Sequence, residues 1–197
     1  MSGQPPASAE SFVRDARPAD ASDIARIQVA RWRAGYAGFV PADVLAELTS
    51  PEAEGRWREH WAGSLASPPT SRHRALVAVA AGAGGARLVA GFASFGPATD
   101  PDRWPATDAE LYELCVAQDQ AGRGHGSRLL NAAAAAMADD GFGAVSGWVL
   151  ERDRAGREFL ESSGWAADGA RRELDMGVPV PLIRLHAALE PAPGPAG

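Results

Sequence analysis

The first run with a strand pattern is SFVRDAR (11–17). The period then lengthens: in PADASDIARIQVARWRAGY, Ile24, Ile27 and Ala30 or Arg31 recur at helical spacing, and Asp20 or Ser22 stands where an N-cap belongs. VPADVLAEL and SPEAEGRWREHWAGSL predict one or two further helix pieces, with Pro51 at a first-turn position after a serine. RALVAVA and ARLVAGFASFG flank AGAGG and predict a hairpin. AELYELCVA (109–117) predicts a strand, and GHGSRLLNAAAAAMADD a helix of high intrinsic propensity with one apolar face. GAVSGWVL (143–150) predicts a strand, and DRAGREFLESSG (153–164) a helix closed by Gly164. RRELDMGV and PLIRLHAAL predict two last strands, and no internal repeat is visible.

Strand, helix and strand across 110–150 imply a parallel pair, whereas the hairpin before them is antiparallel. The expected fold class is therefore α/β (α+β mixed): one domain over 12–189, with a mixed central sheet of about six to seven strands and helices on both faces. The ends, 1–11 and 190–197, are polar or rich in Pro and Gly, and are expected to be disordered tails.

Composition removes several kinds of chemistry. The 197 residues suit one domain with a real core, and the net charge of −6 gives no attraction for a phosphate backbone, so nucleic acid is not an expected partner. One cysteine, Cys115, excludes an intramolecular disulfide and a thiolate metal site. His60, His73, His125 and His186 lack ligand spacing, so no metal is expected. All 19 basic residues are arginine, which removes both the Walker A lysine and Schiff-base chemistry. The N-terminus has no basic and apolar leader pattern, and AGAGG and Arg87 interrupt the most apolar stretch (75–96). The expectation is a cytoplasmic protein with no membrane partner, monomeric or homodimeric.

One short stretch carries chemistry: VAQDQAGRGHGSRLL (116–130), with Gly122, Gly124 and Gly126 between a predicted strand and a predicted helix. Absent side chains let a ligand approach the backbone, and a helix N-terminus offers unbonded N–H groups to an anion such as a phosphate. A dinucleotide site is one reading, since Gly122-x-Gly124-x-x-Ser127 nearly matches G-x-G-x-x-G and Glu151 ends the next strand. Against it, only about 45 residues follow Glu151, too few to complete a doubly wound sheet.

The other reading is a family resemblance. Segment 109–165 resembles the GNAT superfamily of N-acyltransferases, whose pattern R/Q-x-x-G-x-G/A finds its small residues in Gly124 and Gly126. Its first position falls on Ala121, with Gln120 one residue out of register. A second family block, N-x-x-A-x-x-F-Y-E-x-x-G-F, is similar to DRAGREFLESSGW: Asp153 for Asn, Gly156 for Ala, then Phe159, Leu160 for Tyr, Glu161, Gly164 and Trp165. The last strands also look like the family's, so the resemblance covers roughly 11–189.

The resemblance implies an acetyl-CoA site and an amine acceptor. The pantetheine arm would bond the backbone around Cys115, Val116 and Ala117. The pyrophosphate would sit on Ala121, Gly122, Arg123, Gly124, His125, Gly126 and Ser127, with Asp153 at the family's asparagine position. Arg128 would add charge there, while Arg152, Arg154 and Arg157 are either a solvated helix face or a contact to the adenosine phosphate. Direct transfer needs a base, for which Glu113 is the first candidate and Glu110 the second, and an N–H for the carbonyl, that of Val116. By strand alternation Tyr112 is expected opposite Glu113. Cys115 reads as a buried small hydrophobe. Trp32, Tyr36 and Phe39 could wall the acceptor pocket or pack the helix on the sheet, and Trp57, Trp61 and Trp104 read as packing. With Leu160 at the place of the family's acid, a non-catalytic acyl-CoA sensor stands beside the N-acetyltransferase as the alternative.

Overall fold

In a computed structural model, which describes residues 11–82 and 86–190, the chain begins with β1 (Phe12–Asp15), α1 (Ala21–Tyr36), α2 (Ala42–Leu48) and α3 (Pro51–Ala66). It continues through β2 (Arg74–Ala81), β3 (Arg87–Pro97), β4 (Asp108–Val116), α4 (His125–Asp139) and β5 (Ala144–Leu150). It ends with α5 (Arg154–Ser162), β6 (Ala166–Asp175) and β7 (Pro179–Ala188). Most of both expected tails, and 83–85 of the AGAGG turn, lie outside the described residues.

Seven strands form one sheet in the order β1-β2-β3-β4-β5-β7-β6. Every neighbouring pair is antiparallel except β4 and β5, which run parallel. The mixed sheet follows from the chain order: β4 and β5 are the neighbouring strands joined by a single crossover helix, α4, which returns the chain to the same end of the sheet. Helices cover both faces. Leu129 and Met137 of α4 and Leu160 of α5 pack with Phe95, Leu111 and Leu185 on one side. Ile24 and Ile27 of α1 and Trp61 of α3 pack with Val77, Phe92 and Cys115 on the other.

Two local details differ from the sequence expectation. Asp20 precedes α1 but makes no capping bond; its carboxylate accepts from the Arg14 guanidinium (2.7 and 2.8 Å) and the Arg17 N–H (2.7 Å) instead. β6 begins directly after Trp165, earlier than RRELDMGV suggests, because nearly all of this edge strand is exposed and carries no apolar period. Ser50 does cap α3, accepting from the Ala53 N–H at 3.1 Å, with Pro51 in the first turn.

A bulge in β4 matters most for the site. Ser94 pairs with Glu113 and Phe95 with Leu111, so Tyr112 is an extra residue. Leu111 therefore faces the α4 side and Cys115 the α1/α3 side, which strict alternation would forbid. Tyr112 is thus not opposite Glu113. Its hydroxyl passes over Gly96, where a Cβ would lie 2.7 Å from it, and donates to the Pro97 carbonyl at 2.8 Å.

Candidate active site

The parallel pair is registered only from Asp108 with Ala144 to Glu110 with Ser146. Beyond that, β4 runs on to Val116 and β5 to Leu150 without pairing to each other, so the sheet is split at its middle. On the β3 side, the Ala117 N–H donates to the Ala90 carbonyl at 2.8 Å, and Gly91 lies opposite Val116. Val116 is therefore the non-hydrogen-bonded member of that ladder, and its N–H and C=O point away from β3, into the split. Of Cys115, Val116 and Ala117, only Val116 has its N–H turned that way.

The glycine loop closes the same end. Gly122 and Gly124 have φ of 73° and 78°, the left-handed region that side chains disfavour. Gly124 precedes α4 without a capping side chain, and the first bond of that turn is Arg128 N–H to the Gly124 carbonyl (3.1 Å). The N–H groups of His125, Gly126 and Ser127 have no acceptor within the helix, and the helix dipole adds partial positive charge. Arg128 folds back to the Arg123 carbonyl (3.0 Å), and Arg123 to Gln120 Oε1 (3.4 Å), so two guanidinium groups flank this end. Ala121 is exposed in the turn before it. His125 is buried with Nδ1 unpartnered; burial, then the charges of Arg128 and Arg123, hold its pKa below the usual histidine range. Gly126 brings α4 against its neighbours: a Cβ there would sit 3.4 Å from Phe159 and 3.8 Å from Val116.

Glu113 lies on the α1/α3 side of the split strand. The Gln28 side-chain N–H donates to Glu113 Oε1 at 2.8 Å, and the Trp61 indole N–H donates to Gln28 Oε1 at 2.8 Å. The other carboxylate oxygen, Oε2, is buried and has no partner. Burial pushes the Glu113 carboxyl up to about 7, against the pull of the Gln28 hydrogen bond. Glu110 differs in kind: its Oε2 accepts from the Thr99 N–H (3.0 Å) and hydroxyl (2.6 Å), which pins it to the loop between β3 and β4. The Cys115 thiol is pushed up by burial and by Glu113, and is therefore not a thiolate. Burial, then Glu113 and Cys115, likewise raise the Tyr36 phenol, which places it within their electrostatic reach.

The three aromatics expected in the acceptor wall separate. Phe39 lines a cavity of about 120 Å³ with Leu150, Arg152, Val178, Val180 and Pro181. Tyr36 packs on Phe39 with ring centroids 5.8 Å apart. Trp32 packs edge-on against Trp57 at 4.9 Å, in the α1–α3 interface. Trp104, expected to pack, is 77% exposed, whereas Trp61 does more than pack. Asp153 is engaged as the cap of α5, accepting from the Gly156 N–H (3.0 Å), and pairs with Arg31. A Cβ at Gly156 would lie 2.5 Å from that carboxylate, so glycine takes the family's alanine position here. Leu160 is buried in the α4-side core and brings no acid group. Gln28 is the functional candidate that sequence reasoning missed; its signal was an amide on the apolar stripe with Ile24 and Ile27.

A sheet split along its one parallel pair, with a glycine loop and helix N-terminus at the open end, defines the class of N-acetyltransferase folds. The chain belongs to the acetyltransferase (GNAT) family, whose model matches residues 42–165. It is 33% identical over 141 residues to YuaI of Bacillus subtilis (strain 168), an uncharacterized N-acetyltransferase, covering 72% of each chain. Among solved structures, a GCN5-related N-acetyltransferase from Kribbella flavida shares 26% identity with a TM-score of 0.65, over 91% of this chain and 98% of that one. The protein yncA of Salmonella typhimurium, solved with its cofactor acetyl-CoA, has the same fold at 18% identity and a TM-score of 0.65, over 96% and 99% of the two chains.

Proposed function

We propose that this protein transfers the acetyl group of acetyl-CoA to a primary amine by direct attack. The residues at the split fit such a thioester. Val116 turns an uncommitted N–H into the gap, and the α4 N-terminus offers unbonded N–H groups and two arginines to a pyrophosphate. Ala121, Gly122, Arg123, Gly124, His125, Gly126 and Ser127 would hold that group, and the backbone at Val116 the arm that leads from it. Asp153 is left to cap α5.

Acetyl-CoA supplies the acetyl group as a thioester. Glu113 accepts the proton of the amine, while the Val116 N–H polarises the thioester carbonyl. The C–N bond forms, the C–S bond breaks, and the sulfur leaves as thiolate. A coenzyme A thiol resembles cysteine, with a pKa of about 8.5, so it leaves without an acid at Leu160. The acceptor, a small molecule or a peptide N-terminus, would approach past Tyr36 and Phe39.

The observation that carries this reading is the buried, unpartnered Oε2 of Glu113, on a carboxyl poised at about 7. A carboxylate held so is costly unless it has a proton to take. Leu160 favours a second reading, an acyl-CoA sensor without turnover. Thiol release from acetyl-CoA across a panel of small amines and N-terminal peptides separates the two. Amine-dependent release supports the transferase; tight acetyl-CoA binding with no release on any amine supports the sensor.

A further inference from the structure

Three elements meet at one hydrogen-bonded line. Trp61 comes from α3, Gln28 from α1 and Glu113 from β4, and both bonds along the line are 2.8 Å. Gln28 and Trp61 are 2% and 9% exposed, so water does not compete for them. An amide can bond a carboxylate only through its NH₂ end, and an indole N–H can only donate. The Trp61 N–H therefore takes the oxygen end of the Gln28 amide and leaves the NH₂ end for Glu113. Were the amide turned over, two donors would face each other at Trp61, and an oxygen would face the carboxylate.

We infer that Trp61 and Gln28 are positioning residues for Glu113: Trp61 fixes which way the Gln28 amide points, and Gln28 fixes the rotamer of the carboxylate and which of its oxygens is left free. The consequence for the chemistry is directional. Oε1 is engaged by Gln28, so Oε2 is the oxygen left to take a proton. The Gln28 bond also favours the ionised form and opposes the upward push of burial. Other groups act on the same carboxyl. Cys115 and Ser94 lie on the adjoining strand positions, and Tyr112 precedes it in the bulge. From α1, Tyr36 is within its electrostatic reach, and Arg31 is within that of Tyr36 and Cys115. His60 of α3 stands against Trp61, with centroids 6.3 Å apart.

The inference rests on Glu113 as the base, and one paired experiment separates the two. The Glu113 carboxyl is titrated in the whole ligand-free protein by carbon-13 NMR, in wild type, Gln28→Met and Trp61→Phe, with Glu113→Gln to assign the signal. Gln28→Met keeps the length of the side chain and removes both bonds; Trp61→Phe keeps an aromatic ring and removes the donor together with part of the indole's volume. Both variants should raise the Glu113 midpoint, by about one unit for Gln28→Met. The acidic limb of kcat/KM for acetyl transfer should move with it. An unchanged midpoint in Trp61→Phe, in a protein with a cooperative melt, overturns the role of Trp61; unchanged midpoints in both variants overturn the relay. If the midpoints move and the acidic limb does not, the relay stands and Glu113 is not the base.

Discussion

Asp153 accepts the Gly156 N–H at 3.0 Å and also pairs with Arg31, so one carboxylate caps α5 and ties it to α1 across the top of the split. The two helices pack on opposite faces of the sheet. Asp153→Asn keeps an N-cap acceptor and loses only a partly exposed ion pair, so it should cost less than about 1 kcal/mol. Asp153→Ala loses the cap as well and should cost about 1 kcal/mol more. Urea unfolding of the two variants checks the order; equal losses would mean that the cap contributes nothing.

Gly124 and Gly126 should respond differently to the same substitution. Gly124→Ala forces a side chain to a φ of 78° and should destabilise the ligand-free protein by about 1–2 kcal/mol. Gly124→Val should also remove most of the stabilisation by acetyl-CoA, which is about 2.7 kcal/mol at 100 times its dissociation constant. At Gly126 the added Cβ meets only Phe159 and Val116 at contact distance, so Gly126→Ala should keep both stability and binding. Thermal melts with and without acetyl-CoA test this, with NAD as the control ligand. A shift with NAD and none with acetyl-CoA contradicts the assignment of the loop.

The raised carboxyl of Glu113 makes stability fall with pH. Its folded value of about 7 lies above the ordinary 4.5, so between those values the folded state holds a proton that the unfolded state has lost. The destabilisation grows from pH 4.5 and is complete above 7, on the order of 3 kcal/mol at about 1.4 for each unit. Glu113→Gln should therefore be more stable than the parent at pH 8 and close to it at pH 4. Denaturant midpoints at the two pH values decide it, and a variant less stable at pH 8 would contradict it.

The two tyrosines should separate as well. Tyr112→Phe loses the bond to the Pro97 carbonyl and should cost about 1 kcal/mol of stability, with kcat unchanged. Tyr36→Phe should raise KM for the acceptor more than it lowers kcat, as expected where lost binding is uniform. A hundredfold fall in kcat for Tyr36→Phe, with KM unchanged, would instead make that phenol the acid.

Most of the fold was legible because each core element carries its own period: the stripe of α1, the apolar face of α4, and the β-rich runs of β2 to β5. β6 was only half legible, since an exposed edge strand of Arg, Glu and Asp has no buried face to reveal it. The glycine loop announced itself because positive φ demands glycine. Tyr112 was misplaced because a bulge is a property of two strands in register, and alternation along one strand cannot show it. The partners of Glu113 stayed hidden for the same reason: Gln28 is 85 positions away, and Trp61, which lies between them in the sequence, is 33 from Gln28.

The most direct test of Glu113 as the base is the pH dependence of kcat/KM for amine-dependent thiol release, in the parent and in Glu113→Gln. The parent should rise on the acid side with a midpoint near 7, and Glu113→Gln should turn over about 10²–10⁴ times more slowly with that limb gone. A Glu113→Gln protein with the parent's rate and the parent's acidic limb would contradict it.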